Sequence, residues 1–331
     1  MTISSELAQA INNISPGMNQ FQVGSLLKDA SGVSVGKVIY LDPTNGDDGN
    51  DGLSQDRAVR SLSVGYGKLD DGKNDVLLYV AGANSISLSA GFVWAKSYTH
   101  FIGACSPTMV GQRSRIFQTA AATGVSPLFK VTGSGCIFKN LYVFHGVADA
   151  TSKVCFEVTG ERNVFESVHF AGIGNVTMDV AGAASLKITG GSENVFRKCT
   201  IGLDTIARGE NSVELLFASD ASRNYFEDCL ISAYVSSADH ALVEISGTDG
   251  IDRWNIFKGC IFVADSENRG VGLTEVFKTP TGIVQGKIIL NGCQAVNDGT
   301  ATVWDSSGNG TIWNNAVAAE ATAGGGISTK L

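Results

Sequence analysis

From Phe138 to Leu290 the hydrophobic and polar positions follow one short pattern that returns about every thirty residues. It is clearest in "NVFRKCTI" (Asn194 to Ile201), "NYFEDCLI" (Asn224 to Ile231) and "NIFKGCIF" (Asn255 to Phe262). Aligned on the aromatic, the copies place Phe138, Phe165, Phe196, Phe226 and Phe257 in one column, with Leu290 in a weaker copy, at spacings of 27 to 33 residues. A fixed period of this size marks stacked repeats. Each copy is short, aromatic and β-branched, and is bounded by glycine or small polar residues, which predicts a strand. Strands repeated in parallel and joined by more strands and turns predict a β-helix with one rung per repeat.

The columns of this alignment carry the prediction further. Two positions before the aromatic stand Asn163, Asn194, Asn224 and Asn255; asparagine suits tight turns, and stacked amides bond from rung to rung. Three positions after it stand Leu141, Val168, Cys199, Cys229, Cys260 and Cys293, small apolar groups expected inside the coil, where a free cysteine behaves as a compact hydrophobe. No histidine or carboxylate accompanies the cysteines, so a metal or redox array is not expected.

One position past the aromatic the charge alternates: Lys139, Glu166, Arg197, Glu227, Lys258. Rungs lie about 4.8 Å apart, so each glutamate is expected between two cations, an arrangement that stabilises where like charges would not. A looser column, Lys130, Glu157, Lys187 and Glu244, is expected to behave alike. Glutamates held this way are poor candidates for catalysis.

Composition narrows the class. The 331 residues are 44% hydrophobic and 17% charged, with 40 glycines and five prolines, as in a folded, turn-rich protein. A net charge of −8 with 24 Lys plus Arg argues against nucleic-acid binding, and no run of 18 apolar residues predicts a membrane span. The start, "MTISSELAQAINNI", lacks a basic flank and an apolar stretch, so synthesis and retention in a cytosol are expected. Seven cysteines outside any zinc spacing predict neither disulfides nor a structural metal.

Ahead of the repeats runs "VIYLDPTNGDDGNDGLSQDRAVRSLSVGYGKLDDG" (Val38 to Gly72). Asp42, Pro43, Asn45, Gly46, Asp47, Asp51, Gly52 and Leu53, followed by a short helix over Ser61 to Leu69, resemble the opening segment of pectate-lyase-like right-handed parallel β-helix proteins, of the kind found in bacteriophage virion proteins. The resemblance implies an all-β chain: a right-handed single-stranded parallel β-helix (solenoid) over 36–315. A short N-terminal helical arm (1–35) and a C-terminal tail (316–331) flank it. In the arm, Leu7, Ile11 and Ile14 form one apolar stripe, and Phe21, Leu26 and Leu27 follow; they are expected to cap the coil or to anchor it. Asp47, Asp48, Asn50 and Asp51 gather hard oxygen donors without an EF-hand spacing, and solvated turns are expected there.

Catalytic patterns of the polysaccharide-cleaving members do not stand together: Asp70-Asp71 and His145-Gly146 are isolated. His169, in column with Tyr142 and Thr200, is expected on the outer surface. Asp179, Asp204, Asp220, Asp239, His240, Asp249, Asp252 and Asp265 are expected in loops between rungs, where a cleft of Asp204, Asp239 and His240 could assemble. The resemblance implies a bacteriophage virion structural protein, a trimeric capsid decoration (cement) protein that stabilises the particle without catalysis. The alternative is a tailspike-like depolymerase cleaving host-surface polysaccharide, or a non-catalytic glycan-binding tail protein. Expected partners are the chain itself as a homotrimer, other virion proteins including the major capsid protein, and host glycan in the alternative. No cofactor, metal, nucleic acid or membrane is expected. The expected location is the virion, after assembly in the host cytoplasm.

Overall fold

The computed structural model describes residues 36–266, 271–297 and 304–314. The arm residues Leu7, Ile11, Ile14, Phe21, Leu26 and Leu27, and the tail 316–331, lie outside the described residues. Within them the chain is a right-handed parallel β-helix. Each turn visits three sheets in the same order: sheet A (Val164–Glu166), sheet B (His169–Ala171), sheet C (Ala184–Thr189), then sheet A again (Val195–Arg197). Sheet A has ten strands, from Val38–Leu41 to Ile312–Asn314, and every pairing in it is parallel. No helix among the described residues is long and apolar enough to cross a membrane.

The coil bends sharply because single residues adopt left-handed backbone. Between sheets A and B the corner residues are Asn140, Ser167, Lys198 and Asp228, with φ of 54°, 52°, 50° and 53°, and then Gly259 and Gly292. From Asn140 to Gly259 each N–H at this corner donates to the carbonyl one rung on, as Lys198 N does to Glu227 O at 2.9 Å. A second left-handed column, Arg162, Glu193 and Arg223, turns sheet C into sheet A.

Directly after that second corner come the asparagines, all fully buried. Asn194 Oδ1 accepts the backbone N–H of Asn163 at 2.9 Å, Asn224 Oδ1 that of Asn194 at 3.1 Å, and Asn255 Oδ1 that of Asn224 at 3.0 Å. Their Nδ2 groups donate back to Gly133, Gly160, Gly191 and Ala221 carbonyls at 2.9–3.1 Å. Each amide therefore satisfies donors and acceptors that a buried corner would otherwise leave unpaired.

Inside, the aromatic column stacks at the rung spacing. Ring centroids are 5.0 Å apart for Phe138–Phe165, 4.7 Å for Phe165–Phe196, 4.6 Å for Phe196–Phe226 and 4.4 Å for Phe226–Phe257. Leu141, Val168, Cys199, Cys229 and Cys260 are buried beside it, and Cys293 is half-buried. The thiols contact the aromatic column's carbonyls one rung back, as Cys229 Sγ does Phe196 O at 3.4 Å. Burial pushes the Cys229 thiol well above its ordinary value. A protonated, enclosed thiol is a packing group and not a nucleophile.

At the N-terminal end, helix α1 (Leu62–Gly67) starts at Ser61, whose hydroxyl accepts Val64 N at 3.4 Å. It inserts Leu62 into the core, and Leu69 follows just beyond its end.

Candidate functional site

The outer face of sheet A carries the alternating charges in register: Lys139, Glu166, Arg197, Glu227 and Lys258 occupy successive strands. Lys139 Nζ lies 2.8 Å from Glu166, Arg197 Nε 2.9 Å from Glu227 and Lys258 Nζ 3.1 Å from Glu227. Hydrogen bonds from Arg197 and Lys258 hold the Glu227 carboxyl below its usual range. On sheet C, Glu157 lies between Lys130 (2.9 Å) and Lys187 (3.7 Å). Burial works against its charge, but bonds from Lys130 and Thr189 outweigh that and keep its carboxyl low. This column does not run on to Glu244 as the spacing suggests. Leu216 occupies the intervening rung and buries its side chain against Ala184 and Val213.

A third ladder, absent from the sequence reading, lines the corner between sheets C and A. Glu193 accepts from Arg162 at 2.7 Å and from Arg223 at 2.6 Å. Its signal was the charge alternation three positions before the aromatic.

His169 corrects the expectation of an outward surface position. It does pair with Tyr142 and Thr200, yet it is 2% exposed. The loop after strand Thr99–Ala104 climbs across sheet B: Gly111 N donates to His169 Nδ1 at 3.2 Å, and Thr200 Oγ1 to Met109 O at 2.7 Å. His169 Nε2 meets Gly202 O at 2.8 Å. Burial lowers its pKa to about 4, as it does for His100, His145 and His240.

Asp204, Asp239 and His240 do not form a cleft. Asp204 is exposed and acts electrostatically on His169. His240 is fully buried with Nδ1 on Gly209 O at 2.8 Å. Asp239 is exposed and lines an open groove of about 430 Å³ with Glu210, Asn211, Thr274, Glu275, Lys278 and Ser306. The turns between sheets B and C differ in length from rung to rung, so similar sequence positions do not stack there. Asp252 and Asp265 lie in strands and not in loops, because both continue extended pairing, Asp252 with Ser222 and Asp265 with Tyr234. Asp179 holds Gly209 N and Ser212 N at 2.7 and 3.0 Å. Asp220 and Asp249 are exposed.

Beneath those turns lies a polar knot. Arg208, fully buried, donates from Nε to Glu214 at 3.0 Å and through its other nitrogens to the carbonyls of Gly172, Ile173 and Ile206. Ser185 donates to the second Glu214 oxygen at 2.6 Å. Burial pushes the Glu214 carboxyl up, opposed by Arg208. Both side chains are fully buried, so the pair ties two successive turns together, the one bearing Gly172, Ile173 and Ser185 and the one bearing Arg208 and Glu214.

In the opening loop the carboxylates hold backbone N–H groups. Asp47 takes Gly49, Asp48 takes Arg60 and Ser61, and Asp51 takes Leu53 while pairing with Arg57 at 2.9 Å. Among the described residues no cluster of three metal-ligating side chains is present. Asp70 pairs with Lys37 at 2.6 Å and Asp71 accepts Ser97 N. Of the tryptophans, Trp94 and Trp304 are core, while Trp254 and Trp313 are 40% and 44% exposed.

No family model matches the chain, and no curated protein matches it. Solved structures do. A rhamnogalacturonan lyase superposes with a TM-score of 0.55 at 16% identity, over 80% of this chain and 69% of that one. A pectin methylesterase from Aspergillus niger superposes with a TM-score of 0.50 at 12% identity, over 82% and 87%. The ORF18 protein of Geobacillus virus E2 gives 0.40 at 13% identity, over 92% and 63%. At these identities the likeness is one of fold.

Proposed function

We propose that this chain is a structural component of a bacteriophage particle, a trimeric decoration protein that stiffens the capsid surface without catalysis. One observation carries the reading: carboxylates that repeat up the outer faces are bound to cations of neighbouring rungs. Glu157, Glu166, Glu193 and Glu227 each have a cation within 2.9 Å. A carboxylate clamped this way braces the coil and is not free to move a proton. With the asparagine corners and the aromatic stack, the result is a rod that needs no disulfide to hold its shape; all seven cysteines are free. The test is co-sedimentation of the purified chain with empty capsids of the phage that encodes it. Saturable binding with a raised capsid melting temperature is expected. Failure to bind any capsid surface overturns the reading.

The groove lined by Glu210, Asp239, Glu275 and Lys278 favours the second reading, a tailspike-like depolymerase or a glycan-binding tail protein. Release of reducing or unsaturated ends from host-surface polysaccharide would establish it.

A further inference from the structure

Sheet A has two outward columns, and only one is charged. The other runs Val164, Val195, Tyr225, Ile256, Ile289, Trp313 on successive strands, all half-buried except the exposed Trp313. In a sheet, alternate residues face one side, so this apolar stripe lies between the ladder of Glu166, Arg197 and Glu227 and the corner ladder of Arg162, Glu193 and Arg223.

The two ladders are out of phase. On the rung of Val164 the edges carry Arg162 and Glu166; on that of Val195, Glu193 and Arg197; on that of Tyr225, Arg223 and Glu227. At each of these heights the two edges have opposite sign.

We propose that this face is where copies of the chain meet, in parallel and at equal height, around an axis that follows the coil. The inference rests on the self-association within the proposed function and names its surface. Rotation about such an axis brings the Glu166 edge of one copy against the Arg162 edge of the next. Glu166 then faces Arg162, Arg197 faces Glu193 and Glu227 faces Arg223, so the three rungs of Val164, Val195 and Tyr225 are complementary. An antiparallel pairing instead sets each ladder against its own reverse, which matches at most two of these three rungs in any register. The rule holds for any number of copies around the axis.

The dimensions suit a specific contact. Ten strands about 4.8 Å apart and an edge-to-edge width of four residues give a face of about 43 by 13 Å. That is roughly 560 Å² in projection, and the relief of the side chains raises the accessible area toward the ~800 Å² per partner of stable interfaces. An apolar centre with a charged rim is the usual anatomy of such a contact.

Sedimentation velocity of the full chain tests the inference. The wild type is expected to sediment as an oligomer, and the double variant Val195→Asp/Tyr225→Asp as a monomer, with a dissociation constant raised at least 100-fold and an unchanged circular dichroism spectrum. A second variant, Arg162→Cys/Glu166→Cys, reads the geometry. The two thiols are too far apart within one strand to join, so oxidation is expected to link neighbouring copies. Oligomers that survive the aspartates and do not cross-link would overturn this face while leaving self-association intact. A wild type that stays monomeric would remove both, and capsid binding would still be measured separately.

Discussion

Asn194 and Asn224 touch through their side chains one rung apart: Asn194 Nδ2 lies 3.1 Å from Asn224 Oδ1, and the same oxygen accepts the backbone N–H of Asn194 at 3.1 Å. One buried atom thus serves two donors. Asn224→Ala leaves Asn194 N without its partner in the interior and takes from Gly191 O one of its two donors, Ser222 N remaining at 3.4 Å. An unpaired buried group costs about 1–3 kcal/mol, so a loss of about 1–3 kcal/mol is expected by denaturant unfolding. A loss below about 1 kcal/mol would mean that water replaces the amide.

Lys198 holds a left-handed φ of 50° that glycine accepts more easily. The strain of a side chain there is about 1 kcal/mol, partly offset by the entropy glycine loses on folding. Lys198→Gly is expected to leave stability unchanged or to raise the thermal midpoint by a few degrees. A clear fall would show that the side chain contributes more than its backbone costs.

Glu214→Gln removes the charge partner of buried Arg208. Breaking a buried pair by one member costs about 3–5 kcal/mol. Replacing both, as in Arg208→Met/Glu214→Leu, is expected to recover part of that loss. Equal destabilisation in the single and double variants would show that the carbonyl contacts of Arg208, and not its charge pair, hold the turns.

All four histidines are held neutral by burial, with pKa values near 4 against an unfolded value near 6.5. A depressed folded pKa means that the unfolded chain takes up protons the folded one refuses. Stability is therefore full above pH 6.5 and falls as pH drops from 6.5 toward 4. Denaturant midpoints at pH 7, 6 and 5 are expected to decline, and His169→Gln to flatten its share of the slope. A midpoint independent of pH over that range would contradict the burial.

The columns were legible because a regular period converts sequence distance into height: once Phe165 aligns with Phe196, the register of Glu166 on Arg197 follows. His169 was misread because what covers it is the loop around Met109 and Gly111, from an earlier rung, and no local pattern announces such a crossing. Leu216 broke the Lys130 column for a related reason: its neighbours Ala184 and Val213 made an apolar pocket on an outer face. The Arg208–Glu214 knot and the groove at Asp239 sit in turns of unequal length, where the thirty-residue period stops carrying information. Arg162, Glu193 and Arg223 were within reach of the same column analysis that found Lys139 and Glu166.

The alternation of sign along sheet A also restricts how such a rod can change length in evolution. Excising the single turn that bears Arg197 would seat Glu166 directly on Glu227, two anions in contact. Removing that turn together with the one bearing Glu166 would bring Lys139 onto Glu227 and restore attraction. Coils of this chain can therefore be gained or lost without penalty only in even numbers, a parity that relatives of different length would carry as a record of duplication by pairs.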